Sequence, residues 1–284
     1  MPNPISCHIN VLVPSIADER FPRALESIAS AGCDWVGLPP LSPEVDAALL
    51  GRQIADAGLR PVAFAVQRVD ADVSSDDPAV RAAGEQMLRR ALDDAVAMDA
   101  VHLTGAPYAR HGLAEPWSRA CRLRSAESIG RWADEAAAAS IPLTIEVLNR
   151  YETSAINTAE QAVEYVRLTG SPHLRVHLDT FHSSIEETDL IDAVVRTVPR
   201  LGFLELGQSA RGPLARGGVD VEGVVTAAVR AGYAGPIAFE AFSRPVMDAG
   251  MADRLRVWRA VYNDDRALIA EAVRMIRSAY ARAA

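Results

Sequence analysis

Short apolar runs alternate with longer amphipathic stretches along the whole 284-residue chain. This alternation is typical of repeated β-strand and α-helix units that surround a parallel sheet. Strands are predicted at residues 8–13, 34–38, 60–66, 100–104, 143–148, 174–180, 201–206 and 236–241. Eight such units in a chain of this length predict a closed (β/α)8 TIM barrel of the α/β class, for which about 250 residues is typical.

Capping signals predict where several helices begin. Asp77 followed by Pro78 is suited to the N-cap and first position of one helix, and Asn157 with Glu160 forms an N-x-x-E pattern before another. An extra C-terminal helix is predicted at residues 266–282, after the eighth strand. Helices in these gaps are consistent with the barrel.

The composition is uniform along the chain, so residues 1–284 are predicted to form a single barrel domain. An open, doubly wound sheet is the structural alternative. Such a sheet usually carries a glycine-rich phosphate turn after an early strand, and the GLPPLSPE stretch after the second predicted strand lacks the GxGxxG spacing. The closed barrel is therefore favoured.

Charge and composition narrow the function classes. A formal net charge of −8 disfavours a nucleic-acid partner, because phosphate binding requires a concentrated basic face. The three cysteines are widely spaced without a CxxC pair and indicate neither a disulfide framework nor a thiolate metal site. Neither a secretion signal nor an apolar run of about 18 residues is found, which predicts a cytoplasmic protein without a membrane partner.

A carboxylate lies within, or at the end of, each of the last four predicted strands. These residues are Glu146, Asp179, Glu205 and Glu240. An unpaired charge in an apolar run costs several kcal/mol, so a compensating partner is expected. Adjacent strands lie about 4.8 Å apart, and barrel active sites form at the carboxyl ends of strands, so the four side chains are predicted to surround one hard or borderline divalent cation. The alternative is that each acid pairs with an arginine or caps a helix.

The segments IEVLNRYE, LDTFHSSIEE, GQSAR and FEAF resemble the matching segments of ketose 3-epimerases of the D-tagatose and D-psicose type, in the xylose isomerase-like barrel superfamily. The resemblance extends from about residue 77 to about residue 258. It implies metal ligands at Glu146, Asp179 and Glu240, and substrate contacts at Glu152, His182 and Arg211. The fourth metal ligand of that family is a histidine, and its position here is Glu205.

The resemblance also implies a chemistry. Glu146 and Glu240 would act as acid and base on opposite faces of a ketose or related keto-sugar or polyol ketone, through an enediolate. The cofactor would be one divalent ion, Mn²⁺ in the first place with Mg²⁺ or Co²⁺ as alternatives, and no organic cofactor is implied. Family members are commonly homo-dimers or homo-tetramers.

Three alternatives remain open from the sequence. A lyase or dehydratase acting on a keto-sugar or keto-inositol would share the first proton abstraction. A non-catalytic sugar-binding barrel would make Glu205 the mark of a degenerate metal site. A phosphodiesterase resembling endonuclease IV is disfavoured, because the chain is acidic and has only six histidines. His177 shares the strand face of Asp179 and is predicted to be either a partner of a metal ligand or a hydrogen-bonded core histidine.

Overall fold

A computed structural model describes residues 3–263 and 265–283, apart from the side chain of Asp265. Its eight parallel strands form a closed barrel in chain order. They are β1 (Ile5–His8), β2 (Trp35–Gly37), β3 (Arg60–Gln67), β4 (His102–Arg110), β5 (Leu143–Glu146), β6 (Leu174–Asp179), β7 (Leu201–Leu206) and β8 (Ile237–Phe239). The predicted (β/α)8 fold is confirmed.

The helices lie between the strands and beyond the last one. They are α1 (Phe21–Ala31), α2 (Ala47–Asp56), α3 (Pro78–Ala97), α4 (Arg119–Ala138), α5 (Ala159–Thr169), α6 (Thr180–Glu186), α7 (Leu190–Thr197), α8 (Val221–Arg230), α9 (Ala249–Arg254) and α10 (Asp265–Ala283). The predicted C-terminal helix is α10, which packs against α1 and α8. None of the described helices has the length and apolar character needed to cross a membrane.

The first strand was predicted too late in the sequence. It ends at His8, and Ile9–Val11 form a short 3-10 helix in place of a continued strand. The chain turns there because the backbone N–H of Asn10 donates to the His8 ring, which satisfies a donor that a strand would leave to its neighbour. The last strand is also shorter than predicted, so Glu240 lies directly after β8.

One of the two predicted helix caps is correct. The Asp77 carboxylate accepts a hydrogen bond from the backbone N–H of Ala79 at the start of α3. At α5 the cap is Thr158, which forms a capping box with Gln161, and the prediction of Asn157 was wrong. The Asn157 side chain instead donates to two loop carbonyls, so it stabilises the turn that precedes the helix.

Strand register directs the polar side chains into the barrel. Glu146 pairs with His177 across β5 and β6, and Asp179 pairs with Glu205 across β6 and β7. Partners in a parallel pair face the same side of the sheet, so these side chains share the barrel interior at the carboxyl ends of the strands. Phe203, two residues before Glu205, lies one layer deeper in a small apolar cluster.

Gly105 in β4 fixes a close approach between strands. Its φ is +112°, and a Cβ at this position would overlap the carbonyl oxygen of Ala65 in β3. We expect Gly105→Ala to lower the free energy of unfolding in urea by about 3 kcal/mol, from strain and overlap together. Gly58→Ala is the matched control, because φ is +79° there and the added Cβ has open space; its loss should be near 1 kcal/mol. Equal losses in the two variants would contradict the overlap.

Candidate active site

The four predicted carboxylates lie at one end of the barrel. Asp179 and Glu205 are buried, and the side chains of Glu146 and Glu240 are each 13% exposed. Ligand atoms of Glu146, His177 and Glu205 lie within 4.8 Å of one another, and the same holds for Glu146, Asp179 and His182. Glu146 is therefore common to two groups that could hold a metal ion, whereas Glu240 belongs to neither.

Burial dominates the electrostatics of this carboxylate group. It raises the pKa of Glu146, Asp179 and Glu205 well above the usual range. Repulsion from the neighbouring carboxylates raises these pKa values further. A divalent cation among the three side chains would offset both effects, because it favours the ionised form of each.

Asp179 provides a direct test of whether these residues fit a metal. Its Oδ1 accepts hydrogen bonds from the backbone N–H groups of Phe181 and His182, because Asp179 caps α6. Its Oδ2 is buried and has no hydrogen-bond partner within the described residues. A buried carboxylate oxygen without a partner is costly, and a bound cation would satisfy it. Together with Glu146 and Glu205 it forms an oxygen-rich donor set that suits a hard or borderline divalent ion.

Glu240 is held by an arginine. Nη2 of Arg211 lies 2.6 Å from Oε2 of Glu240, with side chains 11% and 13% exposed. The guanidinium is stacked between two aromatic rings, 4.2 Å from the centroid of Phe181 and 4.5 Å from that of Phe242. Stacking fixes the plane of the guanidinium and so the direction of its donors. Glu240 therefore pairs with an arginine, which is the alternative that the sequence left open for each acid.

The same arginine reaches Glu152. Nη1 of Arg211 lies 3.3 Å from Oε1 of Glu152, and Nε2 of His111 lies 3.2 Å from its Oε2. Burial alone would raise the pKa of Glu152, but the hydrogen bond from His111 and the charge of Arg211 lower it to about 2. Glu152 is thus an ionised carboxylate beside Glu240, joined to it through one guanidinium.

His182 is oriented by Asn149. Its Nδ1 lies 3.1 Å from the backbone nitrogen and 2.8 Å from Nδ2 of Asn149, both of which can donate to it. An Nδ1 that accepts places the proton on Nε2, which lies 3.8 Å from Oε1 of Glu146. Burial lowers the pKa of His182 to about 3, so the ring is neutral. It therefore offers one N–H donor beside Glu146.

Two of the three residues predicted as substrate contacts, Glu152 and Arg211, line one cavity of about 330 Å³. Its other lining residues include Asn149, Tyr151, Phe181 and Trp258, whereas His182 and the four carboxylates are not among them. Asn149, which contacts His182, and His111, which contacts Glu152, were not predicted as site residues. Asn149 lies inside the IEVLNRYE segment and could have been found there, whereas nothing in the sequence around His111 marks it.

Comparison with known proteins places this arrangement in a family. A family model described as "Xylose isomerase-like TIM barrel" matches residues 25–279. The ketose 3-epimerase of Arthrobacter globiformis is 36% identical over 275 residues, which cover 96% of this chain and 95% of that protein. The chain belongs to the xylose isomerase-like TIM barrel family. Within it the chain groups with the ketose 3-epimerases and is a sugar epimerase, which confirms the resemblance of the carboxylate-bearing segments.

Solved structures agree with that grouping. An L-ribulose 3-epimerase superposes with a TM-score of 0.94 at 32% identity, covering 99% of this chain and 95% of that chain. A D-allulose 3-epimerase from Methylomonas sp., solved in complex with D-allulose, superposes with a TM-score of 0.93 at 33% identity, covering 98% of each chain. The similarity extends over nearly the whole length of these relatives, so it includes both ends of the barrel.

Proposed function

We propose that this sugar epimerase inverts carbon 3 of a free ketose in a reaction that requires a divalent metal. The observation that carries this proposal is that Glu146 shares one candidate metal group with Asp179 and another with Glu205, and that Oδ2 of Asp179 lacks a hydrogen-bond partner among the described residues. Glu240 lies directly after the neighbouring strand, bound to Arg211. Relatives named for L-ribulose, D-psicose and D-allulose support a free ketopentose or ketohexose as substrate.

The metal would be held by Glu146, Asp179, Glu205 and Glu240. Mn²⁺ is the proposed ion, and Mg²⁺ or Co²⁺ would also suit this donor set. When bound, such an ion supplies positive charge that stabilises the oxygen of an enediolate. The protein contributes the fixed position of the ligands: Asp179 is held by the first turn of α6, and Glu205 pairs in register with it.

Proton transfer is assigned to Glu146 and Glu240. One carboxylate would remove the proton from carbon 3, and the other would return a proton to the opposite face and so invert the stereocentre. The other predicted contacts position the sugar. His182 offers the N–H of Nε2, Arg211 offers the donors of its guanidinium, and Glu152 accepts from a sugar hydroxyl.

The competing functions are less well supported. Elimination from a keto-sugar or keto-inositol would begin with the same proton abstraction, but the relatives matched over nearly the full length are named epimerases. A binding barrel without catalysis gives no reason for the buried carboxylates. The single domain, the cytoplasmic location and the dimeric or tetrameric assembly stay predictions from the sequence.

Isotope exchange tests the proposed function. The purified protein is treated with a chelator, supplied with Mn²⁺ and incubated in D₂O with L-ribulose, D-fructose or D-tagatose. We expect deuterium at carbon 3 and formation of the carbon-3 epimer, both followed by NMR. Without added metal the rate should fall by at least about 100-fold, because the enediolate oxygen loses its counter-charge. Absence of exchange at carbon 3 for every free ketose, or dehydration of a keto-inositol, would contradict the proposal.

A further inference from the structure

A row of polar side chains runs through the barrel interior beneath the carboxylates. It contains His102 and Thr104 in β4, Thr144 in β5 and His177 in β6, which are at most 4% exposed. Consecutive atoms lie within hydrogen-bond distance: His102 Nε2 to Thr144 Oγ1 is 3.0 Å, Thr144 Oγ1 to Thr104 Oγ1 is 2.7 Å, and Thr104 Oγ1 to His177 Nδ1 is 2.8 Å. The row ends where Nε2 of His177 lies 3.1 Å from Oε2 of Glu205.

The hydroxyl groups give this row a direction. Thr144 is the donor in its hydrogen bond to Thr104, so the Thr144 oxygen is left to accept from Nε2–H of His102. The Thr104 hydroxyl has one proton of its own, and His177 Nδ1 is the remaining partner recorded for it among the described residues. Thr104 therefore donates to Nδ1, and the neutral ring of His177 carries its proton on Nε2.

The contact with Glu205 agrees with that tautomer. If Nε2 were unprotonated, its partial negative charge would lie 3.1 Å from a carboxylate oxygen in a dry interior, and the two would repel. The N–H is offset from the line to Oε2, so it makes a charge–dipole contact and leaves carboxylate lone pairs free for a cation. Packing holds the ring in place, since its centroid lies 4.7 Å from that of Phe203 in an edge-on arrangement.

We infer that His177 is a positioning residue for Glu205, and that the hydroxyls of Thr104 and Thr144 fix the tautomer in which it acts. The inference rests on the proposed metal-dependent function. It explains how this chain accommodates a carboxylate at position 205, where the resemblance implies a histidine. The carboxylate takes the place of the ligand, and a histidine on the adjacent strand orients it from below.

The tautomer is measured with saturating Mg²⁺, a diamagnetic ion, so that Glu205 is ionised. Protein labelled with 15N-histidine is studied by NMR, and the His177 signals are assigned by their loss in His177→Phe. We expect Nε2 to be the protonated nitrogen of His177. A proton on Nδ1 would overturn the inference, because Nε2 would then be free to bind the metal itself.

The effect of this row on Glu205 as a metal ligand is measured by titration calorimetry with Mn²⁺ alone. We expect Thr104→Val to weaken Mn²⁺ binding by about 10- to 100-fold, as is typical when a partner of a metal ligand is lost. Thr104→Ser keeps the hydroxyl and should bind within a few-fold of wild type. Thr197→Val is the matched control, because its hydroxyl is equally buried but donates to Ala193 in α7.

The outcomes separate the two proposals. A wild-type protein that binds no Mn²⁺ would contradict the proposed function. A wild-type protein that binds Mn²⁺, with Thr104→Val equally tight, would contradict only the inference. Pulsed electron paramagnetic resonance of bound Mn²⁺ gives a further readout: a histidine nitrogen coupling that disappears in His177→Phe would make His177 a ligand and overturn its positioning role.

Discussion

Glu240→Gln will lower kcat for ketose epimerisation by about 10²- to 10⁴-fold, which is the usual contribution of a general acid or base. Glutamine has nearly the same size and can still accept a hydrogen bond from Arg211, so the fold and the guanidinium should stay in place. Steady-state kinetics with saturating Mn²⁺ measures the change. Glu146→Gln should have an effect of the same order, since both carboxylates are assigned to proton transfer.

Isotope exchange distinguishes proton transfer from a general loss of charge. If the two carboxylates act on opposite faces, each single variant keeps one of them. It can then still exchange the carbon-3 proton of one epimer, namely the epimer whose proton points toward the remaining carboxylate. Glu164→Gln is the matched control, because Glu164 pairs with Arg122 on the helical surface and should leave kcat unchanged. A Glu240→Gln enzyme with wild-type kcat would remove Glu240 from the acid–base pair.

Asp179→Asn will weaken Mn²⁺ binding by more than about 100-fold, beyond the loss expected from a residue that only supports a ligand. The same change should raise the thermal midpoint of the metal-free protein, by roughly 2–4 °C for each kcal/mol of repulsion removed. The reason is that the asparagine oxygen can still cap α6 while the buried charge is gone. Calorimetry with Mn²⁺ and thermal denaturation in chelator measure the two effects, which have opposite consequences for function and stability.

The pH dependence of the metal-free protein provides the companion measurement. Burial raises the folded-state pKa of Glu146, Asp179 and Glu205 above their unfolded values. At pH values between the unfolded and the folded pKa, the folded state therefore binds more protons than the unfolded state. Stability should therefore increase as the pH falls from 8 to 7, and Asp179→Asn should reduce this slope. Below about pH 6.5 the buried histidines His102, His177 and His182, whose pKa is lowered to about 3, contribute with the opposite sign. Asp77→Asn, at the cap of α3, is the control and should leave the slope unchanged. A metal-free wild type whose stability falls over this range would contradict the buried, repelling cluster.

The sequence predicted the barrel because its signals are local. Each strand is an apolar run, and each carboxylate interrupts such a run at a strand end, so Glu146, Asp179 and Glu205 could be placed together from their position in the repeat. Contacts between distant segments were not accessible in this way. Nothing local indicates that His111 meets Glu152, because the contact depends on how two loops fold over the barrel. The 3-10 turn after His8 was missed because an apolar sequence also fits a strand.

The row beneath the site shows the same limit. The spacing of His177 and Asp179 shows that they share a strand face. The partner of His177 on β7, however, depends on the register between β6 and β7, which shifts between Val176 and His177. Thr104 and Thr144 are ordinary strand residues by sequence. Their role becomes visible only when three strands are placed side by side.

Asp179 has a consequence for how such an enzyme could change. The residue ends β6, caps α6 and presents Oδ2 to the carboxylate group. The first turn of α6 carries Phe181, which stacks on Arg211, and His182, which faces Glu146. A substitution at position 179 that also removes the cap of α6 would therefore displace the groups assigned to the sugar. Ion preference and sugar preference are linked through this cap, and laboratory selection for a new ketose should recover paired changes around the start of α6.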